Sequence, residues 1–117
     1  MSKATVTIEL PNNGEIELVP SLAAMEYLGK HNENFQAVFA KLGSMNFETY
    51  AHVIKAGLLT NSKAKNTPLA NFKEEVYEAG VISLMEPLIR FVSILLNGGK
   101  EPSKEPTEEA TSENPEV

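Results

Sequence analysis

No cysteine, no tryptophan and no aspartate occur anywhere in the chain. Without cysteine there is no disulfide, no thiolate metal site and no cysteine nucleophile, and a reducing cytoplasm is the expected setting. All 16 acidic residues are glutamate, so the commonest carboxylate ligand of magnesium and calcium is missing. Long hydrophobic runs are scarce. The N-terminal MSKATVTIEL has no signal-peptide core, and no run reaches the ~20 apolar residues that a bilayer-spanning helix needs. Positive charge is thin and unevenly placed: the net charge is -6, and residues 100–117 carry six Glu against Lys100 and Lys104. The body is then nearly neutral and offers no basic face for a phosphate backbone. Neither a membrane nor a nucleic acid is an expected partner.

The search for chemistry is equally sparse. His31 and His52 are the only histidines, and neither has a carboxylate at metal-ligand spacing. Both read as solvated residues, His31 in the loop HNEN and His52 on the outer side of its helix. Glu74, Glu75 and Glu78 share one helix and read as a solvated face rather than an acid–base pair. Lys63 and Lys65 lie in a polar connector with no aromatic residue between them. No G-x-S-x-G occurs, and no glycine-rich loop follows a strand. No catalytic, cofactor-binding or metal-binding residue is assigned, and the expected role is non-enzymatic.

What is present is a regular succession of short elements. Residues 4–10 and 15–19 alternate apolar and polar around Pro11-Asn12-Asn13-Gly14, the pattern of a β-hairpin with one apolar face. Ser21 is placed to cap a helix from Leu22 to about Leu28, with Leu22, Met25 and Leu28 inward and Gly29 ending it. Asn34 caps a second helix, with Phe35, Val38, Phe39 and Leu42 on one side and Gly43 closing it. Asn46 caps a third from Phe47 to about Leu59, with Phe47, Tyr50, Ala51, Ile54 and Leu58 as its stripe. Thr67 and Pro68 open a fourth as N-cap and first helical residue, with Leu69, Phe72 and Val76 inward and Gly80 at its end. The expected fold is α+β and mostly helical: an N-terminal hairpin packed on four to five short helices over residues 1–99, then a disordered acidic tail over 100–117.

The last apolar segment, Ser83–Asn97, is the most informative. Ser83-Leu84-Met85-Glu86 fits a capping box, which sets Pro87 in the first helical turn, where its missing N–H costs least. Drawn on a wheel from Leu84, the apolar residues cover about 160°, and Ile94 falls outside that arc. Two readings follow. The helix is the central core element, or one edge of it, comprising Leu88, Phe91, Ile94 and Leu95, stays open and binds another chain through helical i, i+3, i+4 and i+7 anchors.

The order of parts resembles a known family. The hairpin runs through V-P-S into L-A-A-M-E-Y-L. Short capped helices, A-H-V-I-K-A-G-L-L and a final apolar helix before a charged tail complete the likeness. The chain resembles small tail assembly chaperones of long-tailed phages and gene transfer agents, most nearly the gene-transfer-agent type that has also been labelled tail tube protein. Val6–Leu28 carries the most specific part. The resemblance implies a non-catalytic protein of the host cytoplasm, absent from the mature virion. Such a protein binds the tape measure protein and aids polymerisation of the tail tube protein around it. A structural tail component, either a tail tube or a tail-completion subunit, is the rival implication. Self-association into a homo-oligomer is compatible with both. Gly98-Gly99-Lys100 is either a helix-stop pair or, by the same resemblance, a place for −1 ribosomal slippage.

Overall fold

The computed structural model describes residues 4–12, 14–61, 64 and 66–100. The expected acidic tail, apart from Lys100, and the two connector lysines lie outside the described residues. Strands β1 (Val6–Leu10) and β2 (Gly14–Leu18) form the hairpin, and five helices follow: α1 (Leu22–His31), α2 (Phe35–Gly43), α3 (Phe47–Gly57), α4 (Leu69–Ala79) and α5 (Val81–Leu96). The α+β, mostly helical architecture is as the sequence indicates.

The hairpin is antiparallel, with Val6 opposite Leu18 and Ile8 opposite Ile16. Period-two alternation buries Val6, Ile8 and Leu10 while Thr7 and Glu9 stay exposed. The tip is fastened to α4: the Asn12 backbone N–H donates to Glu75 Oε1 at 3.2 Å, and Asn12 Nδ2 donates to Glu78 Oε1 at 3.2 Å. Glu75 is buried, so the expectation that Glu74, Glu75 and Glu78 make one solvated face is corrected for Glu75, whose carboxylate supplies an acceptor that the turn needs.

Three N-caps form as the side-chain chemistry requires. Ser21 Oγ accepts from the Ala24 N–H at 3.0 Å, Asn34 Oδ1 from Ala37 at 2.8 Å and Asn46 Oδ1 from Thr49 at 3.0 Å. Other boundaries move. Helix α1 runs through Gly29 to His31, and Leu22 lies 71% exposed on its first turn rather than inward. Pro68 is the cap residue of α4, without a side-chain cap bond; the Thr67 carbonyl instead accepts from Lys55 Nζ of α3 at 2.7 Å.

Helix α5 differs most. It starts at Val81, so Pro87 lies inside the helix. The capping box does not form because the Ser83 hydroxyl donates backwards to the carbonyls of Ala79 and Gly80, at 3.1 and 2.9 Å. At the other end the Gly99 N–H bonds the Ile94 carbonyl and the Gly98 N–H bonds the Leu95 carbonyl, with φ of +72° at Gly98. This is the Schellman arrangement, and it favours glycine at the left-handed position. The Gly99 carbonyl then accepts from the Ala4 N–H at 3.0 Å, closing the end of the helical body onto the start of the hairpin.

The central element is α3, not α5. It packs on α1, α2, α4, α5 and β2, and every residue from Thr49 to Ile54 is buried. The Tyr50 hydroxyl donates to the Leu42 carbonyl at 2.6 Å, satisfying a buried group at the end of α2. Gly57 permits close approach of the hairpin: a Cβ there would stand 2.7 Å from Leu18 Cβ.

Candidate partner-binding surface

The four residues expected to form an open edge on α5 are all sealed inside. Leu88, Phe91 and Ile94 are 0% exposed and Leu95 is 3% exposed. The expectation of an exposed Leu88, Phe91, Ile94 and Leu95 patch is therefore corrected. The cause is the number of neighbours: α2, α3, α4 and β1 all pack on α5, so its inward arc is wide enough to take in Ile94.

The surplus of apolar surface lies elsewhere on the same helix. Drawn from Val81, the apolar arc runs from Ile94 round to Ile82, about 240° in all. About 160° of it is the buried arc from Ile94 to Val92, and the rest is an outer stripe. Ile82 is 76% exposed, Leu96 is 47% exposed, and Met85, Ile89 and Ser93 between them are half-buried. The capping-box reading of Ser83 hid this stripe, because starting the helix there removes Ile82 from the wheel. A wheel begun directly after Gly80 would have shown it.

A second apolar feature adjoins the end of α5. Pro20, Ser21, Leu22 and Met25, from the start of α1, face Leu95, Gly98 and Gly99 across a groove of about 220 Å³. Leu22 is exposed on its rim. Apart from the Ser21 side chain, which caps α1, the groove has no polar side chain. Such a shape takes an apolar side chain by area rather than by directed hydrogen bonds.

His31 is exposed, as expected, though it ends α1 rather than lying in a loop, whereas His52 is not the solvated residue that its position suggests. His31, at the end of α1, stacks on His52 of α3 with ring centroids 4.4 Å apart. His52 is buried. The Tyr27 hydroxyl and His52 Nδ1 share a hydrogen bond of 2.8 Å, and the other ring nitrogen, Nε2, lies 3.9 Å from Glu48 Oε2. Burial lowers the His52 pKa from its ordinary 6.5; His31, Lys41 and Lys73 add to the lowering, and Glu48 opposes it. Burial also raises the pKa of the Tyr27 hydroxyl, so it stays protonated and can donate. The missed signal was the distance between the two residues in the chain: His31 and His52 meet only because α1 packs against α3. The cluster joins α1 to α3 through one hydrogen bond and two ring contacts.

A third feature, a cleft of about 380 Å³, lies between the hairpin tip, the end of α3 and α4, with Ile16, Leu58 and Phe72 at its apolar side and Asn12, Asn71 and Glu75 at its polar side. Two of its polar groups, Glu75 and Asn12, are engaged in holding the turn. Among the described residues no group of three or more potential ligands could hold a metal ion, and no helix is long and apolar enough to cross a membrane. No family model matches the chain, and no curated protein or solved structure matches it.

Proposed function

We propose that this chain is a non-catalytic tail assembly chaperone that acts in the host cytoplasm, binds an apolar helical segment of the tape measure protein and aids tail tube polymerisation. The observation that carries the reading is the apolar groove between the start of α1 and the end of α5, with Leu22 exposed on its rim. Its α1 side, Pro20 to Met25, stands within the stretch Val6–Leu28 on which the family resemblance rests. An apolar seat without directed polar groups suits a carrier that must hold a greasy helix and later give it up. The rival role of tail tube or tail-completion subunit has less support. A tube is built from strands continuous between neighbours, and the described residues contain one two-stranded sheet.

Co-expression with the candidate tape measure protein tests this, scoring how much of that partner stays soluble. The unaltered chain should raise the soluble fraction several-fold. Leu22→Glu should abolish the rise while leaving the melting temperature within about 2 °C, since Leu22 is exposed and a glutamate in the first turn of α1 is favoured by the helix dipole. A partner that stays insoluble with the unaltered chain, or equal rescue by Leu22→Glu, would overturn the assignment to this groove.

A further inference from the structure

We infer that the outer stripe of α5 is the contact face of a symmetric homodimer, in which the α5 helices of two copies pack antiparallel about Ile89. The stripe is Ile82, Met85, Ile89, Ser93 and Leu96, and its spacing of three, four, four and three residues reads the same from either end. A two-fold axis at Ile89 sets Ile82 against Leu96 of the second copy, Met85 against Ser93, and Ile89 against itself. The two side chains of the stripe least covered in one chain, Ile82 and Leu96, are the ones that cover each other. Long Met85 meets short Ser93, whose hydroxyl is already donated to the Ile89 carbonyl at 3.0 Å and brings no unmet polar group into the contact.

Charge selects the direction. Glu86 and Arg90 are exposed on one flank of the stripe. In a parallel pair this flank of one copy lies on the opposite side of the contact from the same flank of the other, and the two charges do not meet. In the antiparallel pair Glu86 lies about 3 Å along the axis from Arg90 of the second copy, and the contact occurs twice. Arg90 is the only arginine in the chain, and its planar fork suits a carboxylate. The acidic segment 101–117 is a poor occupant, since Ala110 and Val117 are its only apolar side chains besides proline. Contact along about 21 Å of one helix pair lies at the small end of stable interfaces, so the dimer should depend on concentration.

The absence of cysteine makes the geometry testable with single introduced thiols. Sedimentation equilibrium of the unaltered chain should reveal a species of twice 12.8 kDa. Under mild oxidation Ile89→Cys should form a covalent dimer, Ile82→Cys alone should not, and an equal mixture of Ile82→Cys and Leu96→Cys should give the mixed dimer. Glu86→Arg should weaken association about tenfold, and adding Arg90→Glu should restore it. A monomer at every attainable concentration, self-linking of Ile82→Cys, or no linking of Ile89→Cys within a proven dimer would each overturn the inference. It is independent of the proposed function: Leu22→Glu should leave the dimer mass unchanged, and the charge swap should leave the groove intact.

Discussion

His52 shows how a single residue couples this protein to pH. Its ring is buried between Tyr27 and His31, and the charged form is disfavoured first by lost hydration and then by His31, with Lys41 and Lys73 adding to this and Glu48 opposing it. With a folded pKa below the unfolded value of 6.5, the unfolded state binds more protons as pH falls past that value, so stability is present above it and is lost towards the folded pKa. Urea midpoints should fall between pH 7 and pH 5.5, and His52→Gln should flatten that slope; an unchanged slope in the variant would remove His52 as its source. Gly57 is a purely steric case. An added Cβ would meet Leu18 Cβ at 2.7 Å and Leu18 Cα at 3.1 Å, atoms that no rotamer can move. Gly57→Ala should cost about 2 kcal/mol in denaturant unfolding, and shortening Leu18 to alanine should not rescue it, because the clashing atoms remain.

At the scale of elements, the hairpin and the three capped helices were legible because their signals are local. Alternation over five residues sets a strand face, and a Ser or Asn side chain three residues before an amide sets a helix start. Local signals competed at α5. Ser83-x-x-Glu86 argued for a start at Ser83, but Val81, half-buried and packed against the core, adds apolar contact that a start at Ser83 would forgo. The helix therefore runs through Pro87 without the N–H that would have reached the Ser83 carbonyl. Pro87→Ala should stabilise the fold by about 1 kcal/mol, the gain in helix hydrogen bonding being partly offset by a looser unfolded chain. A lowered melting temperature would mean that the ring's packing beside β1, where it lines a shallow cleft with Thr7 to Pro11, outweighs the backbone defect.

The whole molecule is organised around α3, which touches every other helix and the second strand. Its amides should then exchange only through global unfolding. In native-state hydrogen exchange the slowest amides should lie between Tyr50 and Ile54, slower than those of α5, and the end of α1 should exchange through local opening. If α5 outlasts α3, the order of the core is misassigned.

By itself the sequence determined the element types, three helix caps and the inward face of the hairpin, since each follows from residue chemistry within a few positions. Only the tertiary structure decided which helix is central, which side of α5 stays open, and that His31, Tyr27 and His52 meet. A helical wheel reports how much of a helix is apolar, about 240° on α5, but not which part its neighbours cover. That is fixed by the packing of α2, α3, α4 and β1 around it, residues far apart in the chain whose contacts no local pattern records.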